Sequence, residues 1–184
     1  FLRQTIDLKR RYVECFEPAD EPYDVLLDDF ERGMPTADVR VIFDELKAAI
    51  VPLIAAIAAR GPVVDDGCLH GVFPVDRQRL VCLSILKRLG FDESKWRLDP
   101  TAHPFASNTG LGDIRLTTRY YPDFLATALF GTMHEFGHGL YEHGVSPLLE
   151  RTLLCRGATH GIHESQSRLW ENIVGRSRPF WRCF

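Results

Sequence analysis

The 184-residue chain has no apolar run long enough to cross a bilayer. Its most apolar stretch, residues 48–59, is bounded by Lys47 and Arg60 and interrupted by Pro52. That is short of the roughly 20 residues a spanning helix needs, so it reads as a core helix. No Cys-x-x-Cys pair occurs among the five cysteines Cys15, Cys68, Cys82, Cys155 and Cys183. Their odd number and wide spacing argue against a disulfide framework or a cysteine-rich zinc site, and predict reduced thiols in the cytoplasm. Nor is there an excess of basic charge: 22 Lys and Arg stand against 25 Asp and Glu, a formal net charge of -3. A nucleic-acid footprint is therefore missing, and neither nucleic acid nor membrane is expected as a partner. No leader peptide, internal repeat or low-complexity tract is visible. What remains is an ordinary globular composition, 45% apolar and 26% charged, with enough chain for a sizeable core.

Hydrophobic periodicity predicts a mainly α fold with one small β-strand or hairpin element. Residues 1–16 read as a charged helix with Leu8, Tyr12 and Cys15 on its apolar side, and residues 24–29 as a short acidic helical turn. Thr36 is suited to N-cap a long helix beginning at Ala37. Residues 74–89 carry Leu80, Leu83, Ile85 and Leu86 at helical spacing and close at Gly90. Residues 91–108, with Pro100 and Pro104, read as loop. Residues 113–121 alternate at their start and are rich in Thr and Tyr, which predicts a strand. Residues 123–141 and 162–176 read as helices, the second with Leu169, Trp170 and Ile173 toward the core and unable to continue simply through Pro179. Both ends fall in helical, partly apolar sequence, and the aromatic run at residues 180–184 would be unusual at a natural terminus. The expectation is a single catalytic-core fragment, residues 1–184, of a larger protein.

Within the helix expected at 123–141 stands His134-Glu135-Phe136-Gly137-His138. The two imidazoles, four residues and roughly 6 Å of rise apart, share one face and reach a single metal ion. Glu135 projects to the side of that ion, where it can take a proton from an activated water. A catalytic zinc needs a third protein ligand. Glu142 continues the i, i+4 series, but lies roughly 12 Å along the axis from His134 and cannot converge with it. The longer helix motif with a third His fails too, because Tyr141 and Gly144 occupy the Gly and His positions it requires. The third ligand must come from a later element: Glu164 on the next helix is the best candidate, with His160 and His163 as runners-up.

Four stretches together resemble a known family: Asp113-Ile-Arg-Leu-Thr117, His134-Glu-Phe-Gly-His138, His163-Glu-Ser-Gln166, and Arg168-Leu-Trp-Glu-Asn-Ile-Val-Gly-Arg-Ser177. In combination the chain is similar to the thermostable Taq-type metallocarboxypeptidases, the M32 peptidases. That resemblance implies a helical, gluzincin-like pair of helices holding Zn²⁺, or Co²⁺, through His134, His138 and Glu164, with Glu135 as general base. It implies removal of C-terminal residues from peptides with a free C-terminus, and a homodimer of chains roughly five hundred residues long. Against that pattern, the later motifs Ile-Arg-x-x-Ala-Asp and Gly-x-x-Gln-Asp-x-His-Trp do not occur among residues 1–184, and the family's N-terminal helices are expected to fall outside them.

An exopeptidase of this kind must recognise a carboxylate, for which a bidentate Arg is the natural device. Arg115 is the candidate, against a structural pairing with Asp113 or Asp123. The Asp113–Thr117 motif is expected beside the substrate groove, with Asp113 orienting a ligand His and His163 or a nearby Tyr helping at the oxyanion. Two other readings stand beside this one. The helix pair would also suit an aminopeptidase or endopeptidase, and a truncated chain would suit an inactive metal-binding product.

Overall fold

Ile114, Leu116 and Thr118 alternate with Asp113, Arg115 and Thr117, and the first three are almost fully buried. This period-2 pattern makes residues Asp113–Thr118 a strand, β3. The structure, a computed structural model, describes residues 1–61 and 63–184, and these fall into two compact units, Phe1–Val64 and Asp65–Phe184.

The first unit is all helix: α1 (Leu2–Val13), α2 (Tyr23–Asp28) and α3 (Thr36–Ala59). Tyr12 donates its hydroxyl proton to Asp29 (3.1 Å). Thr36 does not cap α3; it is the first helical residue, and its backbone N–H donates to Asp24 Oδ1 (2.7 Å). A carboxylate from α2 thus does what a local hydroxyl was expected to do. Nor is α3 a core helix within this unit. None of its residues is buried, and Phe43, Leu46, Ile54 and Ile57 are all exposed, because two short helices offer too little surface to cover a helix apolar on several faces. No helix among the described residues is long and apolar enough to cross a membrane.

The second unit holds α4 (Val75–Arg88), a three-stranded sheet, α5 (Leu125–His143), α6 (His160–Arg168), a π-helical turn (Leu169–Val174) and α7 (Arg178–Cys183). The sheet order is β1-β3-β2, with β1 (Trp96–Pro100) parallel and β2 (Ala106–Gly110) antiparallel to β3. β1 and the first three residues of β2 lie in the segment 91–108 expected to be loop. Trp96 and Leu98 point inward between exposed Arg97 and half-buried Asp99, and Pro100 is tolerated at the end of an outer strand.

Along α4 the inward positions are Gln78, Cys82, Ile85 and Leu86, while Leu80 is exposed. Gln78 is buried because its amide donates to the carbonyls of Phe73 and Tyr121 (2.7 Å each), tying α4 to the segment after β3. Leu86, Trp96, Ile114, Leu116 and Phe136 form the centre of the core. Full burial of side chains of this size stabilises by roughly 1.5–3 kcal/mol each. Helix α5 crosses that core, so its opposite face is held rigidly toward α6.

Candidate active site

His134 and His138 lie on the α5 face that meets α6, with side chains 18% and 16% exposed. Their Nε2 atoms approach to 3.2 Å, and Glu164 Oε2 of α6 stands 3.6 Å from the first and 3.3 Å from the second. The ligand atoms of a tetrahedral site with bonds of about 2.0–2.1 Å stand roughly 3.3 Å apart. The three donors therefore have the separations and chemistry of a divalent-metal site, and they form a potential metal-binding group.

One further carboxylate and two arginines brace the donors. Glu171, on the π-helical turn, accepts from His134 Nδ1 (2.9 Å), which leaves the His134 Nε2 lone pair facing its partners. Arg168 donates to both Glu164 Oε1 (2.8 Å) and Glu171 Oε2 (3.3 Å), and Arg176 donates to Glu171 Oε1 (3.1 Å). Burial pushes the Glu164 and Glu171 carboxyls up, but hydrogen bonds from Ser167 and Arg168 to the first, and from His134 and Arg176 to the second, outweigh it and hold both below the ordinary carboxylate range. Burial, with His163 and His134 alongside, takes the His138 ring down to about 4. That ring is neutral at pH 7, as a ligand must be.

Glu135 sits between the two histidines in sequence and is only 7% exposed. Burial raises its carboxyl to about 7, Glu164 and Glu171 pushing the same way against His134. A general base works best with a pKa near the operating pH. A cleft of about 310 Å³ opens here, lined by His138, His160, His163 and Glu164. An adjoining groove of about 200 Å³ runs between His138 and Ala106, Ser107 and Asn108 of β2. A larger groove, about 700 Å³, lies in the first unit between α1 and α2 and is lined by none of these donors.

The other expected residues are placed differently. Arg115 donates through Nε and Nη2 to the two oxygens of Asp113 (3.0 and 2.9 Å), whose remaining partner is Thr109 (2.6 Å). Arg115 and then Thr109 hold the Asp113 carboxyl down to about 2. Asp113 therefore orients no histidine; Glu171 occupies that role. The Thr117 hydroxyl is bonded to the backbone of Phe105 in both directions (2.8 and 3.0 Å). His163 touches His138 and Glu142 through its two ring nitrogens (2.6 and 2.7 Å), which leaves it no N–H for an oxyanion. Glu142 is not one of the three converging donors; its Oε1 meets His163 Nε2 instead (2.7 Å).

A family model described as Carboxypeptidase Taq (M32) metallopeptidase matches residues 1–184. The chain is 42% identical over 181 residues to Carboxypeptidase 1 of Bacillus subtilis, covering 98% of this chain and 36% of that protein. To Thermostable carboxypeptidase 1 of Thermus thermophilus it is 46% identical over 167 residues, covering 91% and 33%. Among solved structures, it superposes on an M32 carboxypeptidase from Deinococcus radiodurans R1 with a TM-score of 0.88 and 40% identity, covering 98% of this chain and 36% of that one. The chain thus spans about a third of the length of the curated relatives it matches.

Proposed function

Because the chain belongs to the Carboxypeptidase Taq (M32) metallopeptidases, we propose that it carries the catalytic core of a zinc-dependent carboxypeptidase. The observation that supports this most is the convergence of His134 Nε2, His138 Nε2 and Glu164 Oε2 beside a buried carboxylate whose pKa is raised. Zn²⁺ held by these three atoms supplies Lewis acidity, polarising a carbonyl and acidifying a water; Co²⁺ suits the same donors. Glu135 takes the proton from the attacking water and returns it to the leaving amine. The peptide lies extended along the free edge of β2, where an unpaired strand edge accepts main-chain hydrogen bonds next to His138. Asp113, Arg115 and Thr117 serve that edge indirectly: Arg115 donates to Asp113 and Asp113 accepts from Thr109 of β2, while Thr117 bonds the backbone of Phe105 just before β2, so that together they fix β2 and its approach to β3. The substrate is a peptide with a free C-terminus, and its carboxylate is recognised by residues other than the occupied Arg115.

The full-length enzyme, on this reading, is a cytoplasmic homodimer in which residues 1–184 are one catalytic-core part. The five free thiols agree with a reducing compartment.

Hydrolysis of an N-blocked dipeptide is compared with that of its C-terminal amide, with Zn²⁺ or Co²⁺ supplied and with chelator added. Chelator-sensitive cleavage of the free acid alone is expected. Cleavage of both peptides at similar rates would replace the carboxypeptidase reading with an endopeptidase one.

Glu171 gives a second test. A carboxylate behind a ligand histidine raises its basicity and locks its tautomer, and losing one typically costs roughly 10–100-fold in metal affinity. Glu171→Gln is expected to weaken Zn²⁺ binding by that amount in competition with a chromogenic chelator. Unchanged affinity would remove Glu171 from the site.

A further inference from the structure

His134 and His138 are backed by different chemistry. Behind His134 stands a carboxylate, whereas behind His138 stands another imidazole, His163 of α6, at 2.6 Å between Nδ1 atoms. The two rings lie with centroids 4.7 Å apart and planes 35° to one another. Beyond His163 comes Glu142, whose Oε1 is 2.7 Å from His163 Nε2 and also accepts from the backbone N–H of Gly157 (3.1 Å). Tyr141, the preceding residue, accepts from the N–H of Ala158 (3.2 Å) and meets the His163 ring edge-on.

We propose that His163 and Glu142 are positioning residues, forming a clasp that aims His138 at the metal and ties that ligand to the connection between α5 and α6. The proposal rests on the metal-site reading above. Its logic is a chain of donors and acceptors. Glu142 Oε1 already accepts from Gly157 N–H, so His163 Nε2 meets it as a donor. His163 Nδ1 then accepts, His138 Nδ1–H is the donor, and the His138 Nε2 lone pair is left facing His134 and Glu164. The stripe His134, His138, Glu142 is divided accordingly: two residues face the metal, and the third, one turn further along α5, braces the second from behind. Gly157 is the part of the connection that makes this possible. A Cβ there would stand 2.5 Å from His163 Cδ2, 2.9 Å from Tyr141 Cε1 and 3.2 Å from Glu142 Oε1, so only glycine lets the backbone close over the clasp.

The test measures Zn²⁺ and Co²⁺ affinity by chelator competition, together with the visible spectrum of the Co²⁺ form. His163→Leu removes both arms and is expected to weaken binding by roughly 10–100-fold and alter the Co²⁺ bands. His163→Asn, whose Oδ1 falls near the lost Nδ1, is expected to recover most of the affinity. Glu142→Gln weakens binding in the same direction as His163→Leu and keeps the proposal testable should the leucine variant fail to fold. Parental affinity and spectrum in both His163→Leu and Glu142→Gln would overturn the clasp. Equal affinity in folded Leu and Asn variants would also overturn it, because a space-filling role would not distinguish them in that way. A parent chain that binds no metal would instead overturn the site reading itself.

Discussion

Glu135→Gln is expected to lower peptide hydrolysis by roughly 10³-fold, with metal still bound at one ion per chain. Glu135 is not among the three converging donors, so removing its charge leaves the metal site intact. Glutamine has nearly the same volume, so a residue only 7% exposed is replaced without opening a cavity. What disappears is the carboxylate proposed to shuttle a proton between water and leaving amine. Metal analysis and turnover on the same sample separate this from simple metal loss, and turnover within tenfold of the parent would remove Glu135 from the role.

The metal-free protein offers a check that does not depend on catalysis. The Glu135 carboxyl is raised from its ordinary 4.5 to about 7 by burial. The folded state therefore binds more protons than the unfolded one between those values, and stability contributed by this group is lost as pH rises through that window. Glutamine cannot titrate. Metal-free Glu135→Gln should gain thermal stability over the metal-free parent at pH 8 and show little gain at pH 4. A constant difference across that range would mean that Glu135 is not desolvated in solution.

Much of the frame was legible because the pattern was local. The alternation at residues 113–118 and the helical spacing along α4 and α5 are short-range signals, and the core-facing residues of β3 follow from them. β1 was not legible. Trp96 and Leu98 alternate over too few residues, beside Pro100, and become a strand because β3 offers a parallel partner. The same limit applies to Thr36, whose cap comes from Asp24, twelve residues away.

At the site, the offset along a helix axis was enough to separate His134 and His138 from Glu142, and to send the search for a third donor to α6. The bracing carboxylate was not foreseeable in this way. A regular helix over 162–176 would have turned Leu169 and Ile173 inward, yet the chain passes into a π-helical turn after Arg168 and both are exposed. A π turn inserts a residue per turn and shifts the face of everything after it. Here that shift carries Glu171 to His134 Nδ1, while Trp170 packs against Phe136. Asp113, the carboxylate with the more conspicuous motif, is consumed by Arg115 and Thr109.

Gly137→Ala is expected to damage the site, although Gly137 supplies none of the three donor atoms. A Cβ there would lie 2.6 Å from Gln166 O and 2.6 Å from Ser167 Cα, both backbone atoms of α6. No side-chain rotation relieves such a contact, so α6 must back away by about 1 Å, the shortfall from normal contact distance. Glu164 rides on α6, two residues before the collision, and its Oε2 would leave the two Nε2 atoms by a comparable amount. Overfilling of this kind costs roughly 1–3 kcal/mol of stability. Against it, alanine gains about 1 kcal/mol over glycine in a helix interior. Gly131→Ala supplies the internal comparison, because it lies in the same helix and its Cβ would meet Thr118 Oγ1 at an ordinary 3.6 Å. Gly131→Ala should therefore raise the melting temperature, while Gly137→Ala lowers it and weakens Zn²⁺ binding by at least roughly tenfold, the lower bound for disturbing a ligand's support. Parental metal affinity in Gly137→Ala would show that α5 and α6 are not in the contact that places Glu164, and the third ligand would then have to be sought on another element.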